Sequence, residues 1–173
     1  MLFLLLFLVS VPVLFFVFVW GAPYVPTSGE RFKNVLDLAQ IKKGDRAIDI
    51  GSGDGRLVIA FARAGAEAHG WEINPLLVLK SRRLIKEAKL EDTATIHWGN
   101  FWNADLSGFN VVTLYGMSHI MGRLEKKLSQ ELAAGSRVIS AYFTFPNWEI
   151  KRKQGDVYLY ELSQEDRGAH VVE

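Results

Sequence analysis

The segment Asp49-Ile50-Gly51-Ser52-Gly53-Asp54-Gly55-Arg56 directly follows the apolar run that begins at Arg46-Ala47-Ile48. This pattern predicts a buried strand ending in a glycine loop that opens a helix, the cofactor-binding turn of a parallel α/β sheet. An ordinary strand-to-helix turn needs one glycine for positive φ and an acid as helix cap, and three alternate glycines exceed that need. A dinucleotide pyrophosphate at such a turn calls for G-x-G-x-x-G spacing and positive potential. Here the spacing is G-x-G-x-G, with acids at Asp49 and Asp54, and carboxylates suit a cation. S-adenosylmethionine carries a sulfonium and an ammonium and no phosphate. Glycine backbone can approach its amino-acid moiety while Asp49 orients the loop or takes the ammonium.

The second part of the expected site is Glu72, at the end of the strand Glu67-Ala68-His69-Gly70-Trp71-Glu72. It lies about 20 residues beyond the loop, where such folds bind ribose hydroxyls. An acid at a strand end is usually a solvated cap, so its weight comes from its distance to the glycine loop. Ribose binding does not separate adenosylmethionine from NAD; the loop spacing does.

Met1 to Trp20 is apolar apart from Ser10, and the first charged side chain is Glu30. A helix of about 20 such residues spans roughly 30 Å, enough for a bilayer. No Lys or Arg precedes the run, and a cut after Ala22 would place Trp20 where a small residue is wanted, so a cleaved signal peptide fits poorly. We expect a retained transmembrane anchor over residues 1–22 and one domain over residues 23–173. Arg31, Lys33, Lys42, Lys43 and Arg46 follow the run closely, which favours a cytoplasmic domain. A prokaryotic inner membrane is expected because no organelle-targeting stretch precedes the run.

Lys and Arg total 20 against 19 Asp and Glu, a net charge of +1. The global basic footprint of a nucleic-acid binder is therefore absent, and no nucleic-acid partner is expected. Local basic groups exist at Lys80, Arg83 and Lys86 and at Lys151-Arg152-Lys153. They suit a solvated face or, beside an anchor, anionic lipid headgroups. The chain has no cysteine, which removes disulfides and thiolate chemistry. His69, His97, His119 and His170 are scattered without ligand spacing, so no metal is expected.

Helices are predicted over Gly29–Gln40, Arg56–Ala64, Pro75–Ala88 and Arg123–Ala133. Strands are predicted at Arg46–Ile50, Glu67–Glu72, Thr93–Trp98, Phe109–Tyr115 and Arg137–Phe143. This alternation makes a Rossmann-like, doubly wound, mostly parallel sheet. Val157–Leu162 and Ala169–Val172 are expected to pair across the polar connection at Ser163–Gly168, giving an antiparallel C-terminal edge hairpin. Asn147–Asp156 is too short and too basic for a full helix, so either a helix is missing there or the segment is a substrate loop.

Together the loop, the ribose acid and the strand order resemble class I S-adenosylmethionine-dependent methyltransferases. Pro23-Tyr-Val-Pro-Thr27, Asp49-Ile-Gly-Ser-Gly-Asp-Gly-Arg56, Gly70-Trp-Glu-Ile-Asn-Pro75, Leu124-Glu-Lys-Lys-Leu128 and Phe143-Thr-Phe-Pro-Asn-Trp148 look like the membrane-anchored lysine methyltransferases of the ATP synthase c-subunit and adenine nucleotide translocase type. The likeness runs from Tyr24 to about Tyr160. It implies that Tyr24 and Thr27 fold over the cofactor, that Asp49, Gly51, Ser52, Gly53 and Gly55 hold its methionine part, and that Glu72 holds its ribose. Many such enzymes carry an acid at the position of Asn100 for the adenine amine; an amide there can also accept from that amine, with Phe101 or Trp102 stacking.

Methyl transfer to an amine is an in-line displacement that needs alignment and exclusion of water. A lysine acceptor must first be neutral, and burial against apolar walls lowers its pKa without a dedicated base. Tyr115, Phe143, Phe145, Pro146 and Trp148 follow strands whose C-terminal ends are the ligand edge, and are expected either to wall the substrate or to close the core. Three functions compete at this point. They are lysine methylation of a membrane protein, methylation of a lipid or quinone headgroup, and a non-catalytic membrane-tethered module.

Overall fold

The computed structural model describes residues 29–168. The expected anchor over residues 1–22, the cofactor-covering Tyr24 and Thr27, and the strand over residues 169–172 lie outside the described residues. Among those described, no helix is long and apolar enough to cross a membrane.

The elements in chain order are α1 (Gly29–Ala39), β1 (Arg46–Ile50), α2 (Arg56–Arg63), β2 (Glu67–Glu72), α3 (Pro75–Glu87), β3 (Ala94–Trp98), β4 (Val111–Tyr115), α4 (Met121–Glu131), β5 (Arg137–Ala141), β6 (Arg152–Gln154), β7 (Val157–Glu161) and α5 (Gln164–Gly168). The seven strands form one sheet in the order β3-β2-β1-β4-β5-β7-β6. The first five are parallel, and β7 runs antiparallel between β5 and β6. This is the mostly parallel Rossmann-like sheet with an antiparallel edge that the alternation predicts. The strand order reverses between β1 and β4, so the crevice for a ligand lies over their C-terminal ends.

Period-two alternation along the strands divides the core into two layers. Ala47, Val111, Ile139 and Val157 face α1, α2 and α3, where Leu38, Val58, Phe61 and Val78 complete one cluster. Ile48, Val112, Val138 and Tyr160 face the opposite way, against Leu106 and the α4 residues Leu124 and Leu128.

Two elements differ from the sequence expectation. The edge partner of β7 is β6, drawn from the Asn147–Asp156 segment, and with β5 on its other side β7 has no open edge for residues 169–172. The charged residues of Arg152–Gln154 give no apolar alternation, although charge is what protects an edge strand from further pairing. A two-residue turn at Gly155-Asp156, with Gly155 at φ 58°, closes this hairpin. The connection at Ser163–Gly168 also holds structure. Ser163 and Asp166 cap α5 reciprocally, the Ser163 N–H donating to Asp166 Oδ2 (2.8 Å) and the Asp166 N–H to Ser163 Oγ (3.1 Å).

Between β5 and β6 the chain is pinned without a helix. Buried Glu125 on α4 accepts from the Asn147 N–H (3.0 Å) and from Asn147 Nδ2 (2.7 Å). Phe145 and Trp148 on either side turn inward, with ring centroids 4.5 Å apart and both against Tyr160. Phe145 is 4% exposed and Trp148 7%, so they close the second core layer. Trp148→Ala is expected to lower the unfolding free energy in urea by about 3–5 kcal/mol. The affinity for a cofactor analogue without urea should change by less than about threefold, because Trp148 itself does not line the cleft.

Candidate active site

The last residues of β1 carry the first charge of the site. Asp49 pairs in register with Thr113 of β4, and Thr113 Oγ1 donates to Asp49 Oδ1 at 2.7 Å. Asp49 is buried, and burial pushes its carboxyl up to about 7; the Thr113 hydrogen bond opposes this, while the charges of Glu72 and Asp54 add to it. Such a shift is worth roughly 4 kcal/mol against the ionised form. The arrangement is one that a cation would relieve.

The glycine loop approaches its neighbours closer than any side chain would allow. Gly51, Gly53 and Gly55 have φ of 77°, 55° and 78°. A Cβ on Gly55 would lie 2.8 Å from the Ser81 Cβ of α3, and one on Gly70 of β2 would lie 2.5 Å from Ser52 Oγ. The Gly51 and Ser52 N–H groups both donate to the Trp71 carbonyl, at 2.8 and 3.1 Å. Glu72 completes the clasp: its Oε2 accepts from the Gly53 N–H (2.9 Å) and its Oε1 from the Asn74 N–H (2.7 Å). Each carboxylate oxygen can accept a second bond, which leaves capacity for a vicinal diol.

Asp54 plays a different part from the one its place in the loop suggests. It is buried, and Arg56 Nη2 (2.8 Å) and Lys80 Nζ (3.5 Å) neutralise it. The acids presented to a ligand are therefore Asp49 and Glu72.

These groups line a cleft of about 300 Å³ over the β1–β4 switch point. Asn100 and Phe101 form part of its far wall. The Asn100 side-chain oxygen accepts from the Trp102 N–H (3.1 Å) and can accept a second bond, so that oxygen and the amide N–H₂ are both available to a heterocycle. Trp102 does not line the cleft; it packs under the Arg123 guanidinium, 4.2 Å from its ring centroid.

Tyr115 lines the mouth and is 39% exposed. Phe143 is half-buried beside it, 6.5 Å between centroids, and Pro146 is exposed. Of the expected substrate residues only Tyr115 lines the cleft; Phe143, Phe145, Pro146 and Trp148 do not, and Phe145 and Trp148 face the core. Sequence reasoning missed Tyr142, whose ring lies 5.9 Å from Tyr115 and is 51% exposed. Its φ of 79° is costly for a bulky residue. It is held by its N–H to the Asp156 carbonyl (2.7 Å) and by Arg31, 5.1 Å over its ring, which also pairs with the Asp156 carboxylate. That pairing holds the Asp156 carboxyl below the usual carboxylate range. Gly116, Met117 and Ile120, just after β4, also line the cleft and were missed; their place beyond a central strand was the available signal.

The profile of the ANTKMT methyltransferase domain matches residues 49–152. The ATP synthase c-subunit lysine N-methyltransferase of Rattus norvegicus is 37% identical over 82% of this chain and 67% of its own length. A protein-lysine N-methyltransferase of Saccharolobus islandicus is 33% identical over 82% of this chain and 94% of its own length. The chain belongs to the ANTKMT methyltransferase family. The family resemblance carried by the sequence motifs is thus borne out, and the fold is that of S-adenosylmethionine-dependent methyltransferases. A solved RNA methyltransferase of Salinibacter ruber in complex with S-adenosyl-L-homocysteine superposes with a TM-score of 0.77 at 35% identity, over 81% of this chain and 95% of that one. The chain spans 61 to 67% of the length of the rat, mouse and human methyltransferases named for the ATP synthase c-subunit.

In this methyltransferase the state of Asp49 sets a pH dependence. A cation held by ionised Asp49 lowers the carboxyl's pKa from its value of about 7. S-adenosylhomocysteine affinity should then rise up to about tenfold per pH unit as pH increases from roughly 5.5 to 7, and flatten above 7. Calorimetry should detect proton release on binding below pH 7, and Asp49→Asn should remove both the slope and the released proton.

Proposed function

We propose that this chain is an S-adenosylmethionine-dependent protein-lysine N-methyltransferase that acts on a membrane-associated protein, with residues 1–22 as its anchor and residues 23–173 as its catalytic domain on the cytoplasmic side. The observation that carries the reading is the pairing of Asp49 and Glu72 around the glycine loop, next to an aromatic mouth, in a chain whose relatives are named lysine N-methyltransferases.

The residues fit the cofactor. Asp49 is a buried carboxylate whose second oxygen has no partner among the described residues, suited to the ammonium. Glu72 suits the ribose diol, and Phe101 with the Asn100 amide suits the adenine. Tyr24 and Thr27 would cover the ligand, as the family resemblance implies. Bound there, the cofactor supplies an electrophilic methyl group on sulfur.

What the chain itself supplies is orientation and dryness. No histidine or lysine lines the cleft among the described residues, so a neutral acceptor amine is obtained by desolvation at Tyr115 and the neighbouring rings of Tyr142 and Phe143. The amine's lone pair must enter in line with the methyl, and the aromatic rim limits its approach to that direction. Anchoring raises the effective concentration of the domain at acceptors in the same bilayer.

A second reading is favoured by the Salinibacter ruber relative, which is described as an RNA methyltransferase. Against it stands the nearly balanced charge of this chain. One experiment separates these and the lipid or quinone alternative. Full-length protein is incubated with membranes and methyl-labelled S-adenosylmethionine, and the protein, organic-soluble and RNA fractions are counted. Label recovered as methyllysine supports the proposal; label in lipid, quinone or RNA overturns it.

The rim makes its own prediction. Tyr142→Ala is expected to lower kcat/KM by about 10- to 100-fold, roughly 1.4–2.7 kcal/mol, while S-adenosylhomocysteine binding stays within about twofold. Equal losses in both would assign Tyr142 a structural role.

A further inference from the structure

Seven large hydrophobic side chains are exposed among the described residues, and six of them belong to segments at or just past the C-terminal ends of the parallel strands. Ile73 follows β2, Leu76 and Leu79 lie on the first two turns of α3, and Trp98 ends β3; Tyr115 and Tyr142 end β4 and follow β5. All six are therefore at the C-terminal edge of the sheet, flanking the mouth of the cleft. Trp98 at 66%, Leu76 at 69% and Leu79 at 64% are exposed far beyond what packing requires. The Trp98 indole N–H donates to the Ile73 carbonyl (3.1 Å), which satisfies its polar end and leaves the ring face bare, as at a membrane interface. Exposed apolar side chains concentrated at one edge in this way mark an interaction site.

Basic groups outnumber acidic ones beside the α3 part of the patch, although Lys80 lies near Asp54 and Arg83 pairs with Glu87. From Ile73 to Lys86 the chain carries Lys80, Arg82, Arg83 and Lys86 and no acidic residue. On α3 the apolar residues come first and the basic ones follow at helical spacing toward the opposite end. That order places hydrocarbon deepest and ammonium or guanidinium groups at the level of anionic headgroups.

The side from which the chain enters the domain agrees. Arg31 near the start of α1 pairs with Asp156 beside the end of β5, whereas Arg137 at the start of β5 donates to the Ala39 and Gln40 carbonyls beyond the other end of α1. The N-terminus of α1 is therefore at the same C-terminal edge. Between Trp20, where the apolar run ends, and Gly29 lie residues 21–28, a reach of roughly 30 Å at full extension. A domain of this size is roughly 35–40 Å across, so that reach would not carry the linker past the domain to put its other edge on the bilayer.

We infer that the C-terminal edge of the sheet, with Ile73, Leu76, Leu79 and Trp98 on one side of the cleft and Tyr115 and Tyr142 on the other, rests in the headgroup layer of an anionic bilayer and opens the cleft toward the membrane. This rests on the reading of residues 1–22 as an anchor and deepens it. The acceptor lysine is then one held at headgroup depth on a membrane protein.

Because the chain has no cysteine, single labels can be placed uniquely. Full-length Leu79→Cys and, at the opposite edge, Asp92→Cys are spin-labelled and reconstituted into vesicles of phosphatidylcholine and phosphatidylglycerol. Both positions are exposed, so neither label disturbs the core. The Leu79→Cys label should be relaxed by oxygen in preference to a water-soluble nickel chelate, with its nickel accessibility reduced several-fold relative to Asp92→Cys. If the protein sediments with vesicles and both labels meet nickel equally, this orientation is overturned while the anchor stands. If it does not sediment with vesicles, the anchor reading falls and the orientation with it. Protection of the Leu79→Cys label by RNA or by soluble protein, and not by vesicles, also overturns it.

Discussion

The organisation of the site depends on the Glu72 carboxylate. One of its oxygens holds the Gly53 N–H and the other the Asn74 N–H, so a single side chain ties the glycine loop after β1 to the start of α3 after β2. Charge-assisted bonds of this kind are stronger than neutral ones, and here both are largely shielded from water. The clasp works because glycine allows it. Without Gly70, Ser52 could not sit against β2, and without Gly55, α3 could not close on α2. The cradle is therefore fixed before any ligand arrives, which limits the ordering cost of binding.

That rigidity has an electrostatic consequence. Three acids, Asp49, Asp54 and Glu72, lie within one short stretch of structure and are all buried. Arg56 and Lys80 cancel one, and another accepts hydrogen bonds from two backbone N–H groups. Asp49 alone carries the unresolved burial, with only Thr113 to offset it. Like-charge crowding of this type selects for a cation at Asp49 and against a phosphate, which is the discrimination that the glycine spacing implies.

Much of this was legible in the sequence because it is written in local patterns. The glycine loop, the acid about 20 residues on, and the helix–strand alternation need only neighbouring residues to be read. Other features depend on distance in space. Arg152–Gln154 carries no strand signal of its own and becomes β6 because β7 offers it a ladder. Lys80 meets Asp54 only once α3 packs beside the loop. Phe143, Phe145 and Trp148 are equivalent by composition, yet beside the Glu125–Asn147 clamp the last two are buried in the core and Phe143 is only half-buried, next to Tyr115. Tyr142 was invisible because nothing in the residue type announces a positive φ.

The strained Tyr142 connects the site to the chain's N-terminal side. Its conformation is unfavourable in isolation and persists because Asp156 accepts its N–H while Arg31 covers its ring and binds the Asp156 carboxylate. Arg31 is on the first turn of α1, two residues beyond Gly29. The conformation of Tyr142 therefore depends on how the first turn of α1 sits against the β6–β7 hairpin. The mouth of the cleft and the first turn of α1 are thus held by one set of contacts.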